Sequence, residues 1–297
     1  MPYHDPNGVI SQMMFDKSQV SLGKPIGHGG SSVVYEGVVK VLQKKVAVKV
    51  LEGRYAVELC KREVSALKAL DHPNIIKVIG CCEVSPTECY LLLELADNDA
   101  LSRDALQLLR RELPQVEYVA QMLEWSLQVA KGLEYLHSNG VLHLDLKPAN
   151  LLRFRKTVKI SDFGVSKILD FGVSKILNAS VGFTAATVRH SFQYAAPEVL
   201  LCENVTYAAD LYSLGCAICE LLTGCVPCGE KQLHVVLREA AMGSTLDVTT
   251  QHPWLSACPL GTKELVQRLL SFEPTSRGSI DDAIQDLEKL YLSNGSS

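Results

Sequence analysis

His143-Leu144-Asp145-Leu146-Lys147-Pro148-Ala149-Asn150 follows an apolar stretch with helical spacing and places an acid, an amine and an amide within eight residues. Those residue types carry chemical information at that spacing. A carboxylate can orient a hydroxyl, an amine can sit beside a transferred phosphate, and a carboxamide oxygen can ligate a hard cation. Taken alone, the same eight residues would also serve as a polar surface turn. Their meaning depends on what stands elsewhere in the chain.

The 297 residues are enough for one large domain or two small ones, and 47% hydrophobic with 21% charged residues is ordinary for a globular protein. With 29 basic and 33 acidic residues the net charge is −4, which argues against nucleic acid or a membrane surface as partner. Met1-Pro2-Tyr3-His4-Asp5 lacks the basic-then-apolar pattern of a secretory signal. No apolar run reaches the roughly 20 residues of a membrane span; the richest, Leu211 to Leu222, is broken by Glu220. Ten cysteines include two pairs at CxxC spacing, Cys216/Cys219 and Cys225/Cys228, only five residues apart. Zinc modules place about a dozen or more residues between such pairs. Within an apolar helix, residues three apart simply share a face. The expectation is buried thiols in a reducing cytoplasm, without a metal at these pairs.

Residues 1–17 show no periodicity and are expected to form a flexible leader, with a tail at 292–297. Strands are expected at Val33 to Tyr35, Lys45 to Leu51, Ile75 to Ile79 and Cys89 to Leu95. Between them, apolar positions 57, 60, 64, 67 and 70 predict an amphipathic helix over Tyr55 to Leu70. Beyond Ala96-Asp97-Asn98-Asp99 the pattern becomes helical: a core helix over Gln115 to His137, then helices over Asp210 to Leu222, Lys231 to Ala241, Thr262 to Ser271 and Ile280 to Leu292. Sheet followed by helices argues an α+β fold, with a sheet-rich lobe over 18–96 and a helical lobe over 97–291.

Several further motifs fall in a fixed order. Gly27-His28-Gly29-Gly30-Ser31-Ser32-Val33-Val34 is a glycine-rich strand–turn–strand, Val46-Ala47-Val48-Lys49 ends an apolar strand in a lysine, and His72-Pro73-Asn74-Ile75 comes after the first helix. Lys159-Ile160-Ser161-Asp162-Phe163-Gly164 and Ala196-Pro197-Glu198 follow the polar loop, with Asp210, Gly215 and Arg277 later still. Together they resemble the eukaryotic-type protein kinase domain over about residues 20–290, of the serine/threonine type, with a catalytic loop close to that of Mos-type and tyrosine-kinase-like-group kinases. The resemblance implies a two-lobed kinase fold that transfers the γ-phosphate of ATP to a hydroxyl of a protein substrate in the cytoplasm. It assigns Asp145 to the substrate hydroxyl, Lys147 to the γ-phosphate, and Lys49, paired with Glu63, to the α- and β-phosphates. It assigns Mg2+ to Asn150 and Asp162. Around ATP it places Ile26, Gly27, Gly29, Val34, Ala47, Lys49, Leu93, Glu94, Ala96 and Leu152, with backbone groups of Glu94 and Ala96 on adenine and Leu93 as gatekeeper. It also pairs Arg277 with Glu198.

The sequence departs from the family pattern at Ser32, in place of a glycine, at Leu144, in place of arginine, and at His190 and Ser191 before the Ala-Pro-Glu motif. Two readings follow: an active serine/threonine kinase, or a pseudokinase that binds nucleotide or partners without turnover. Lys49, Glu63, Asp145, Asn150 and Asp162 are all present, which favours activity; Lys147 disfavours a tyrosine kinase.

Asp162 to Leu169 reads DFGVSKIL, and Asp170 to Leu177 repeats it. An eight-residue slip is even, so every side chain keeps its face and alternation cannot choose between the copies. Spacing chooses the first. Asn150 to Asp162 is 12 positions, room for two short strands and a tight turn with Arg155-Lys156 at its tip, whereas Asn150 to Asp170 is 20.

Overall fold

The computed structural model describes residues 13–28, 32–97, 100–164, 166–168, 192–244, 246, 248, 253–254 and 256–294. The chain divides into two compact units. One runs up to Asp71 and resumes over Ile75–Asp97; the other takes His72–Asn74 and continues from Asn98.

In the first unit, β1 (Val20–His28), β2 (Ser32–Val39), β3 (Lys44–Glu52), β4 (Val78–Ser85) and β5 (Glu88–Glu94) form an antiparallel sheet in the order β1-β2-β3-β5-β4. α1 (Ala56–Leu67) lies in sequence between β3 and β4. Alternation along β3 sends Val46, Val48 and Val50 to one face, where they join Val20, Val39, Cys82, Tyr90 and Leu92 in a buried cluster. Ala47, Lys49 and Leu51 point the other way, toward the face that α1 covers. Pro25 is tolerated because β1 is an edge strand whose pairing with β2 is irregular between Leu22 and Gly27.

Two expectations need correction here. Residues 13–17, expected to be a flexible leader, strap the edge of β4. Met14 bridges Cys81 in parallel, the Phe15 N–H donates to the Cys81 carbonyl at 2.8 Å, and the Phe15 ring packs against the valine cluster. Gly80 makes room for this strap, since a Cβ there would run into the Met13 carbonyl and the Phe15 ring. Two bridging residues leave no period for a sequence reading to detect. The strand expected at Ile75 to Ile79 begins only at Val78; Ile75 makes an isolated bridge and Ile76 has no regular structure, and both are buried. A short apolar run is a core signal before it is a strand signal.

The second unit opens with α2 (Arg103–Glu112), which the sequence reading did not anticipate. It is capped by the Ser102 hydroxyl, which accepts from the Ala105 N–H at 3.3 Å, and it buries Leu106. α3 (Gln115–Ser138) is the long core helix. β6 (Val141–Leu142) pairs with β9 (Lys167–Ile168), and β7 (Leu151–Phe154) with β8 (Thr157–Ile160) in a hairpin whose tip holds Arg155 at φ +44°. Among the described residues α4 (Pro197–Leu200), α5 (Ala208–Thr223), α6 (Leu233–Ala241), α7 (Thr262–Leu269) and α8 (Ile280–Asn294) follow. α8 runs through Asn294, past the point at which a tail was expected.

α5 is buried on all sides from Ala209 to Thr223, as its all-round apolar sequence requires, and so acts as a central post. Cys216, Cys219 and Cys228 are buried, but Cys225 is exposed, which corrects that expectation. It lies just past Gly224, whose left-handed conformation ends the helix. Among the described residues, no helix is long and apolar enough to cross a membrane.

Candidate active site

Lys49 sits on β3 between Val34 and Leu91 of the neighbouring strands. Its amine is not a snorkelling surface group, since the residue is only 8% exposed. Lys49 Nζ lies 3.0 Å from Glu63 Oε2 and 3.2 Å from Oε1, on α1. Glu63 is itself only 2% exposed. Burying both charges costs several kcal/mol of desolvation per ion, so the pair contributes little to stability against an apolar replacement. What it achieves is a fixed position for the amine.

In the second unit, the eight-residue loop hangs from α5. Asp210 Oδ2 accepts from the His143 N–H at 2.9 Å and lies 2.9 Å from His137 Nε2, while Oδ1 accepts from the Leu144 N–H at 2.8 Å. Burial pushes this carboxyl up, but the hydrogen bond and charge of His137, followed by those of His143, hold it below the usual carboxylate value. Capturing two successive amides helps offset the left-handed backbone of Leu144 at φ +64°, a conformation that costs an L-residue about 1–2 kcal/mol. Leu144 and Leu146 are buried, so the loop is apolar underneath. Asp145 and Lys147 come between and after them, on the polar side.

The loop's polar groups converge. Lys147 Nζ lies 2.9 and 3.1 Å from the two oxygens of Asp145. Asn150 Nδ2 donates to the Asp145 carbonyl at 2.8 Å and to its carboxylate at 3.0 Å. Both amide hydrogens are thus used within the loop, and Oδ1 is the side chain's oxygen donor. The Asn150 carbonyl accepts from the Ser161 N–H and hydroxyl, each at 2.9 Å, which fastens the loop to the exit of β8. His143 is fully buried: Nδ1 accepts from the Asp145 N–H at 3.2 Å, and Nε2 then donates to the Ser161 carbonyl at 3.1 Å. Its ring meets Phe163 edge-on at 4.9 Å. Asp162 follows β8 at φ +65°, and Phe163 is 2% exposed. The first copy of DFGVSKIL therefore occupies the end of the hairpin. The second copy, with Asp170, lies outside the described residues.

The remaining site residues are placed less tightly by side-chain contacts. Ile26 and Gly27 lie at the end of β1, Val34 on β2, Ala47 on β3, Leu93 and Glu94 on β5, Ala96 just beyond it, and Leu152 on β7. Gly29, Ser31, His190 and Ser191 lie outside the described residues. Two CxxC pairs notwithstanding, no group of three or more His, Cys, Asp or Glu among the described residues could hold a metal ion.

Some supporting residues escaped the sequence reading. Asn74 of the His-Pro-Asn-Ile motif donates to the Val158 carbonyl at 2.9 Å and accepts from the Ile160 N–H at 2.8 Å, steadying the strand that leads to Asp162. Tyr194, just before Ala-Pro-Glu, donates to Glu220 Oε2 at 2.6 Å, and Ser213 donates to the Tyr194 carbonyl at 2.8 Å. Arg103 holds the other oxygen of Glu220 at 3.3 Å. These partners are distant in sequence and carry no local motif. Arg277 does pair with Glu198, through Nη1 at 2.6 Å and Nη2 at 2.8 Å.

Comparison with known proteins agrees with this geometry. The chain is 28% identical to the serine/threonine/tyrosine-protein kinase HT1 of Arabidopsis thaliana over 92% of its own length and 67% of HT1. It is 32% identical to a probable myosin light chain kinase of Dictyostelium discoideum, covering 89% of this chain and 79% of that one. Against mitogen-activated protein kinase kinase kinase 13-B of Xenopus laevis the identity is 31% over 89% of this chain, which spans only 24% of that relative. Residues 20–287 match the protein kinase domain, and the chain belongs to that family.

Proposed function

We propose that the chain is an active protein kinase that transfers the γ-phosphate of ATP to serine or threonine hydroxyls of protein substrates. The observation that carries this is the state of the polar groups. The Lys49–Glu63 pair is closed, and Asp145, Lys147 and Asn150 are held in mutual contact on a loop anchored by buried Asp210. A chain kept only for its shape has no need to hold a buried amine against a buried carboxylate. The pseudokinase reading gains nothing from these contacts.

In this reading Asp145 orients the attacking hydroxyl, and Lys147, already paired with it, carries positive charge to the transferred group. Lys49 holds the α- and β-phosphates of ATP. Asn150 Oδ1 and the Asp162 carboxylate are hard oxygen donors, and Mg2+ shared with phosphate oxygens asks for only one or two protein ligands, so the residues present fit the ion. When bound, it would neutralise charge on the phosphates. Ile26, Gly27, Gly29, Val34, Ala47, Leu93 and Leu152 would enclose the nucleotide, with Glu94 and Ala96 on adenine. The assignment to serine and threonine rests on Lys147 and on the serine/threonine kinases among the relatives. The ten cysteines, most of them buried, support a reducing, cytoplasmic setting, and the acidic balance a protein rather than nucleic-acid partner.

The test is phosphate transfer from labelled ATP with Mg2+ to a generic protein substrate, followed by phosphoamino-acid analysis. Wild type should yield phosphoserine or phosphothreonine. Lys49→Met and Asp145→Asn should each lose about 3–4 kcal/mol of transition-state stabilisation, hundreds-fold in rate, while remaining folded. Undiminished activity in Asp145→Asn would overturn the assignment. Nucleotide binding without turnover in wild type would favour the pseudokinase.

A further inference from the structure

Three thiols meet beneath α1. Cys60 projects from the buried face of the helix, one turn before Glu63, with its sulfur 3.8 Å from the Tyr90 carbonyl. Pairing of β4 with β5 sets Cys81 opposite Leu91, and Cys89 lies two residues from Leu91, so both cysteines leave the sheet on one face. They are the immediate neighbours of the Cys60 thiol. Cys82 points the opposite way, into the valine cluster. Cys81 and Cys89 form a diagonal pair across the two strands, a separation of about 7–8 Å, whereas a disulfide needs its Cβ atoms about 3.5–4.5 Å apart. Any bridge in this group must therefore include Cys60.

The thiols are not equivalent. Cys81 is held below the ordinary thiol value, first by a hydrogen bond from Cys60, with Lys61 assisting against burial. Cys60 is pushed up by the same neighbours, Cys81 first, then Cys89 and burial. Of the two, Cys81 is the thiol whose neighbours favour the thiolate, and Cys60 the one whose neighbours disfavour it. Cys81 also faces the strap: its sulfur lies 3.1 Å from the thioether of Met14, which is 36% exposed. Among the described residues of the strap, the Met14 side chain is the one laid against the Cys81 sulfur.

We propose that Cys60 and Cys81 form a reversible disulfide when the chain meets hydrogen peroxide, tying α1 to β4 and holding the Lys49–Glu63 pair closed. The Cys81 thiolate attacks one peroxide oxygen; the O–O bond breaks, giving a sulfenic acid and, after one proton is taken up, water. The Cys60 thiol then attacks that sulfur, forming the S–S bond and releasing a second water. The two sulfurs give up two electrons and the peroxide accepts them, so two thiols and one peroxide become one disulfide and two waters. A small dithiol reverses the reaction by exchange. Because Cys60 stands one turn from Glu63, the bridge limits how far α1 can carry that carboxylate from Lys49.

The experiment treats the full chain with hydrogen peroxide, blocks remaining thiols and maps tryptic peptides without reduction. Cleavage after Arg54 and Lys61 isolates Cys60, while Cys81, Cys82 and Cys89 share the peptide between Lys77 and Arg103, so fragmentation must place the bond. The expected product links Cys60 to Cys81. It forms in Cys89→Ala, is absent from Cys81→Ala, disappears with dithiothreitol, and raises the unfolding midpoint of wild type and Cys89→Ala but not of Cys81→Ala. If Cys81→Ala does not fold, Cys81→Ser and Cys60→Ala serve in its place. A bond to Cys89, or Cys60 and Cys81 both left blockable while exposed Cys202 and Cys225 oxidise, would overturn the proposal. The linkage is read without phosphate transfer, so it stands or falls apart from the catalytic assignment.

Discussion

Replacing Arg277 with lysine keeps the charge and discards the fork. The native guanidinium is fully buried and uses all five of its N–H groups. Nε donates to the Ser271 carbonyl at 2.9 Å; Nη1 to Glu198 and, at 2.8 Å, to the Ala208 carbonyl; Nη2 to Glu198 and, at 3.0 Å, to the Phe272 carbonyl. A lysine ammonium has three donors, so at least two of these acceptors lose their partner. At about 1.5 kcal/mol or more for each hydrogen bond to a charged group, Arg277→Lys should cost about 3 kcal/mol. In a chain of this size that is a fall in Tm of about 5–10 °C. Arg277→Met goes further, stranding the buried Glu198 carboxylate for about 3–5 kcal/mol, and pairing it with Glu198→Met should recover most of that share. The assay is urea and thermal unfolding of wild type, Arg277→Lys, Arg277→Met, Glu198→Met and the double methionine variant, with the methionine variants analysed as a cycle. A coupling energy below about 1 kcal/mol, or an Arg277→Lys variant within about 1 °C of wild type, would refute the claim that this fork pins the Ala-Pro-Glu segment.

Asp162→Asn should abolish magnesium-dependent turnover while Asp170→Asn is nearly silent, as judged by kinase rates across a magnesium titration; the reverse result would make the second repeat the working one. Asp210, whose folded pKa is depressed, contributes stability that is complete above the ordinary carboxylate value near pH 4 and is lost as pH falls through the lower folded value. Urea midpoints measured from pH 7 down to pH 2 should therefore fall more steeply in wild type than in Asp210→Asn, which should already be less stable at pH 7. Leu144 can neither donate nor carry charge, so activity should survive phosphatase treatment; a collapse reversed by rephosphorylating Ser180, Thr184 or Thr187, which lie outside the described residues, would contradict this.

The catalytic loop was readable because its acid, amine and amide come from one contiguous stretch whose alternating leucines face inward. The choice of the first repeat was readable because hairpin length depends on residue count rather than on side-chain pattern. Partners far apart in sequence were readable only where a motif marked both ends, as with Glu198 and Arg277. Tyr194, Glu220 and Arg103 have no such marker, and their contacts appear only once α2 is laid beside α5. α2 itself was missed although Ala105, Leu106 and Leu109 share one face, because the segment is short, otherwise polar and buries only Leu106. The start of β4 was misplaced because burial of Ile75 and Ile76 ahead of the continuous strand leaves the same trace as burial within it.

The strap at Met14 and Phe15 bears on how the protein can be handled. The family match begins at residue 20, a natural place to cut a shorter version for expression. Such a chain would lose the bridge to Cys81 and the Phe15 ring, leaving the outer edge of β4 bare at Cys81 and an apolar flank uncovered. Bare edges recruit strands from neighbouring molecules. Seven residues that precede the recognised domain would then decide between a soluble preparation and an aggregating one.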